Sequence, residues 1–190
     1  MAAFLGYALV WSQMSYWAAT VITSLLTVLP YGVGDGVLAA VWGAPYIAQP
    51  TLSRFLAWHY VLSLAVLALA AAHIVAVHHY GSSNPTQLAA LDKQPFMQYY
   101  VVKDAVALGT AVLCAVGLVL AAPTALIDTE LYVPVNTMAT PAHIVPEWYL
   151  LPYYAVLRCV PDKTAGCLTA LVLLLSLLTT PFRSRTALGS

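Results

Sequence analysis

LSRFLAWHYVLSLAVLALAAAHIVAVHHY, residues 52–80, is a long, almost wholly apolar stretch that carries His59 and His73 fourteen residues apart. At about 100° per residue, fourteen steps return to within roughly 40° of the starting direction, so the spacing predicts both imidazoles on one helix face. At about 1.5 Å rise per residue they lie about 21 Å apart along the axis. A bilayer core is about 30 Å thick, so one histidine falls toward each side of a membrane. That separation suits two metal centres stacked across a bilayer rather than one site with two ligands. The ordinary alternative is a packed histidine hydrogen-bonded to a neighbouring helix. Two on one face at opposite depths weigh against it, because an ionisable group inside a bilayer is costly and usually functional. The small residues Ala68, Ala70, Ala71 and Ala72 near His73 allow a flat ligand or another helix to approach closely.

The surrounding composition agrees. The chain has 190 residues, 62% hydrophobic and 7% charged, where a soluble domain carries about 25% charge. An integral membrane protein follows. Net charge is zero, so nothing points to nucleic acid. Cys114, Cys159 and Cys167 form no C-x-x-C pair, which argues against a disulfide framework or a thiolate metal site. The first residues, MAAFLGYALVW, lack a basic leader or an Arg/Ser-rich transit pattern.

Working outward, the expected fold is all-α with four membrane-spanning helices. The first runs from Phe4 to Leu29, with Pro30 and Gly32 as breakers after it. Residues 34–47 read as a loop with a short surface helix, VLAAVW, ended by Gly43 and Pro45. The second span is Leu52–Val77, followed by a polar loop from Gly81 to Pro95. The third is Tyr100–Ala121 and the fourth Thr164–Phe182, with a basic RSR tail. Between them, residues 123–163 hold six prolines, too irregular for a lipid-facing span. Residues 1–80 form one part, the first two spans, and 81–190 the other. Lys93, Lys103, Arg183 and Arg185 fall on one side of such a bundle, and Arg54, Arg158 and Lys163 on the other. By the positive-inside rule the first side faces the matrix or cytoplasm, with His59 outer and His73 inner.

Five stretches, in order, resemble cytochrome b of the respiratory quinol–cytochrome c reductase, complex III. GYALVWSQMSYWAATVIT (6–23) looks like the start of that family's third helix, and RFLAWH (54–59) with a second His fourteen residues on is similar to its fourth. HHYGSSNPT (78–86) and DKQPFMQYYVVKD (92–104) look like the following loop and the start of the fifth helix. PAHIVPEWYLLPYYAVLRCVPDK (141–163) contains Pro-Glu-Trp-Tyr. The family implies eight helices, of which these resemble the third to sixth, as part of the cytochrome b bundle.

The resemblance implies two b haems, a low-potential outer one held by His59 and a high-potential inner one held by His73. The opposing histidines then come from a second cytochrome b fragment, because the helix that carries them in the family is not among these four. On the outer side the family oxidises ubiquinol. Glu147 would accept a quinol proton, Tyr149 would help hold the quinone, and Met14, Tyr16, Leu150 and Tyr153 would line the pocket. A Glu capping a short helix after Pro146, and plain helix packing of the aromatics, are the bland readings of these residues. On the inner side the family reduces ubiquinone, with His78, Asp104 and Lys103 at positions that contact it or deliver protons. An interfacial Lys103–Asp104 pair is the alternative. His78 is turned about 140° from His73 and does not compete for its iron. Arg54 would meet a haem propionate, or else snorkel to the interface.

Departures from the family pattern are Ala18, where a glycine usually gives a haem close access, and Ser63, which replaces a proline. The implied partners are an iron–sulfur subunit, cytochrome c1 and other complex III subunits in a dimeric complex within membrane lipid. The implied location is the mitochondrial inner membrane, ahead of a bacterial plasma membrane. The rival expectation is a non-catalytic membrane assembly subunit derived from the same family.

Overall fold

A computed structural model describes residues 1–81 and 91–180. Most of the polar loop after Gly81 and the RSR tail therefore lie outside the described residues. Among those described, the structure is helical, with one isolated antiparallel bridge between Ser12 and Pro134.

The expected first span is not one helix. Helix α1 (Ala2–Ala8) ends, the chain turns through residues 9–12, and α2 (Gln13–Ser24) begins. Two local features cause the break. Trp11 takes a left-handed backbone, φ 57°, which no helix continues. Ser12 then caps α2: its hydroxyl accepts from the Ser15 N–H at 3.3 Å, while the Ser15 hydroxyl accepts from the Ser12 N–H at 2.8 Å. Apolar residues of this stretch pack a core. Phe4, Leu5 and Ala8 of α1 meet Tyr16 and Ala19 of α2, with Ile47 and Phe55. At 12 residues, α2 by itself is about 18 Å long.

A 3₁₀ turn at Leu25–Val28 extends α2, and α3 (Val33–Trp42) follows as the expected short surface helix. Gly43 ends it in the left-handed region, φ 67°. Thr51, fully buried, fixes the corner into the next helix by donating to the Trp42 carbonyl at 2.7 Å. Helix α4 (Gln49–Tyr80) then runs 32 residues without a break, and its apolar window is unburied by the rest of the chain. A π turn (Phe96–Val101) leads into α5 (Val102–Ala121), giving a second long apolar helix from Phe96 to Ala121. After a 3₁₀ turn at Thr129–Tyr132 and another at Trp148–Leu150 come α6 (Leu151–Cys159) and α7 (Lys163–Leu178). Helix α7 has 16 residues, about 24 Å, and the expected fourth span runs on past the described residues. Two helices, Gln49–His79 and Phe96–Ala121, are thus long and apolar enough to cross a membrane. The apolar exposed surface of both fits a lipid or helix-bundle setting.

Two compact units form, Met1–Ala72 with Thr129–Ser190, and His73–Asp128.

Candidate functional site

His59 sits in the first unit, half-buried, with its Nδ1 2.9 Å from the Ala2 carbonyl oxygen. A carbonyl only accepts, so Nδ1 carries the proton and Nε2 keeps its lone pair. That is the tautomer a metal-ligating histidine adopts when its other nitrogen donates to backbone. Gly6 lies against the ring: a Cβ there would stand 2.7 Å from His59 Cε1. The Phe4 and Phe55 rings, 5.9 Å apart edge to face, pack the same α1–α4 contact. Ser63, in place of a proline, donates to the His59 carbonyl at 2.6 Å and leaves α4 uninterrupted.

His73 is carried by the same helix and belongs to the second unit, where its side chain is exposed. Among the described residues no three His, Cys, Asp or Glu side chains gather around a common point. A single imidazole suits a haem, which supplies the iron's other ligands itself, better than a bare ion that needs several protein ligands at one point. The residues present fit that group at His59, whose tautomer is set by Ala2.

Arg54 is committed locally. Its Nη1 donates to the Ala40 carbonyl near the C-terminal end of α3, where a cation is favoured by the helix dipole. Gly43, against which the guanidinium lies, favours glycine through its left-handed backbone.

An apolar cavity of about 280 Å³ opens within the first unit. Ala18, Val21 and Ile22 of α2 form one wall, and Ala170 and Leu174 of α7 another. Ile144 and Pro146, with Leu150 and Tyr153, close it from the Pro-Glu-Trp-Tyr segment. Leu150 and Tyr153, two of the candidate pocket residues, thus line one cavity. Met14 and Tyr16 do not line it: both are buried, and Tyr16 packs edge-on between Trp11 and Trp17 at 5.5 and 5.4 Å. Ala18 faces this cavity.

Glu147 directly follows the cavity-lining Pro146. It occupies the N-cap of the Trp148–Leu150 turn, yet its side chain makes no capping hydrogen bond. Tyr149 is half-buried, and burial first, then the Glu147 charge, pushes its phenol pKa up. The phenol stays protonated and available as a donor.

The second unit contains a cavity of about 650 Å³ lined by Val77, His78, Gly81, Phe96, Tyr100 and Asp104. His78 and Asp104, 26 positions apart in sequence, thus share one wall as expected. Phe96 meets the His78 ring edge to face at 5.2 Å. Lys103 places its ammonium 5.7 Å from the Tyr99 ring centre, a cation–π contact. Phe96 and Tyr100 were not singled out in the sequence, although Phe96, Tyr100 and Asp104 follow one another at four-residue intervals on one helical face. A polar pair in an otherwise aromatic and apolar cavity suits a flat ligand with hydrogen-bonding oxygens.

Residues 1–134 match the family model described as Cytochrome b(N-terminal)/b6/petB, and residues 134–190 match Cytochrome b(C-terminal)/b6/petD. The chain is 42% identical to the cytochrome b of Saccharomyces cerevisiae over 184 residues, 96% of this chain and 48% of that protein. It is 45% identical to the cytochrome b of Rickettsia prowazekii over 167 residues, 86% of this chain and 42% of that protein. With the cytochrome b of Candida albicans it shares 41% over 184 residues, covering 96% and 47%. The chain spans about half the length of these relatives.

Proposed function

The chain belongs to the cytochrome b family, and from that premise we propose that it is a haem- and quinone-binding portion of a respiratory cytochrome b, working within quinol–cytochrome c reductase. The observation that carries this reading is α4, one uninterrupted apolar helix bearing both His59 and His73. When bound, the two b haems supply the one-electron chemistry that connects the sides of the membrane. The protein's part is to hold them. His59 offers Nε2 as an axial ligand because Ala2 occupies Nδ1, and His73 offers its ring from the other half of α4.

At the apolar cavity, quinol binds between α2 and the Pro-Glu-Trp-Tyr segment. Water is excluded by the aliphatic walls, and Glu147 accepts a proton at its carboxylate while Tyr149 donates to a quinone oxygen. At the second cavity, His78 and Asp104 bind the oxygens of ubiquinone and pass protons to them, with Lys103 near the opening. Release of protons at one site and uptake at the other accounts for proton translocation. Histidines opposing these two would come from helices outside the 190 residues, on the same or on another polypeptide. An iron–sulfur subunit and cytochrome c1 complete the complex, in a mitochondrial inner or bacterial membrane.

The test is spectroscopic. Reduced-minus-oxidised spectra and pyridine haemochrome assays of the assembled complex should show His59→Ala and His73→Ala each losing a different b-type band. Unchanged b bands in both variants would favour the non-catalytic assembly subunit. An epitope placed in this sequence, followed on a denaturing gel, separates a split polypeptide from a longer one.

A further inference from the structure

We propose that Gln13 is a positioning residue for the apolar cavity, clamping the loop that forms one wall to the helix that forms the other. This inference rests on reading that cavity as the quinol site. Gln13 is 7% exposed and is the first residue of α2. Its backbone N–H donates to the Val133 carbonyl at 2.9 Å. Its side-chain Oε1 accepts from the Asn136 N–H at 2.7 Å, and its Nε2 donates to the Ala139 carbonyl. One residue thus holds residues 133–139 at three points, beside the Ser12–Pro134 bridge.

Both walls lead away from this clamp. Five residues beyond Ala139 the loop reaches Ile144, and then Pro146, which line the cavity. Along α2, Ala18, Val21 and Ile22 line it from the other side. The gap between the walls is therefore set where Gln13 joins them. Only a primary amide serves, since one end must accept and the other donate. A carboxylate would turn an oxygen toward the Ala139 carbonyl, and an apolar isostere would leave Asn136 N–H and Ala139 C=O unpaired.

The experiment uses the assembled complex with Gln13→Glu and Gln13→Met, both close to glutamine in volume, and a short-chain quinol as substrate. The expected result is a KM for quinol raised about tenfold in each, with kcat changed far less and b-haem reduction through the second cavity unaltered. An unchanged KM in both variants overturns the proposal. A variant-free measurement stands beside it. Filling the apolar cavity of the unmodified complex with a non-reducible quinone analogue should slow hydrogen exchange at the Asn136 and Met138 amides, and unaltered exchange overturns the coupling. Ile22→Trp, which fills the cavity, isolates the premise. Normal quinol oxidation in that variant removes the quinol reading of the cavity, and this proposal with it. A clamp that fails alone shows normal KM in the Gln13 variants while Ile22→Trp is inactive.

Discussion

His59 on α4 and Ala2 on α1, 57 positions apart, meet through a hydrogen bond of 2.9 Å from Nδ1 to a backbone carbonyl. The contact makes Nδ1 the donor, and Gly6, one helical turn along α1, leaves room for the ring to approach. On the proposed reading of His59 as a haem ligand, this contact from a neighbouring helix would fix the ring's orientation.

Gly6→Ala would place a methyl group 2.7 Å from His59 Cε1. The ring, tied to Ala2, has to move. We expect a loss of about 1–3 kcal/mol in stability and a shifted outer b-haem band. Thermal denaturation of the complex and low-temperature spectra check both; an unshifted band would show the ring tolerates the methyl group.

Ser12→Ala removes the cap of α2 and leaves the Ser15 N–H without its partner. The expected cost is about 0.5–2 kcal/mol. Because α2 also forms a wall of the apolar cavity, quinol turnover should fall with temperature sensitivity increased. Activity measured across a temperature series reads this directly.

Glu147→Gln removes the proposed proton acceptor and should slow quinol oxidation by about a hundredfold or more. It also removes the charge that helps raise the Tyr149 pKa, leaving burial as the remaining cause. Tyrosinate absorbance from Tyr149, obtained by difference against Tyr149→Phe, should then appear at lower pH than in the parent. Because the folded pKa is raised, the neutral phenol's stabilising contribution is complete below the ordinary tyrosine value of about 10. It is lost as pH climbs through the higher folded value.

Phe96→Leu frees the His78 ring from its edge-to-face partner, an interaction worth about 0.5–1.5 kcal/mol. Quinone reduction should weaken several-fold, and Asp104→Asn should reduce it by about a hundredfold. Reduction of b haem by quinol with the apolar cavity inhibited isolates this site. Wild-type rates in both variants would exclude the cavity as a quinone site.

Much of the architecture was legible in the chain itself. An unbroken apolar run with no charge between Arg54 and His73 leaves little alternative to α4, and Gly43 ends α3 where a left-handed residue is needed. The same logic read residues 4–29 as one continuous helix, whereas the backbone breaks at Trp11, a break that composition does not display. The left-handed Trp11 gave no warning, since tryptophan rarely adopts that conformation and Ser12 alone is a weak capping signal. Lys163 was likewise unremarkable, yet its ammonium reaches the Ser24 carbonyl at 3.2 Å and the Thr27 hydroxyl at 2.9 Å, joining the start of α7 to the end of α2.

Residue order by itself determined the membrane class, the two long helices and the register of His59 and His73, because hydropathy and helical period are local properties of a chain. Tertiary structure alone decided which His59 nitrogen is free, which face of α2 meets the cavity, and that Gln13 grips a loop 123 to 126 positions away. Those are contacts between segments remote in sequence, and they exist only once packing has brought a donor within reach of its acceptor.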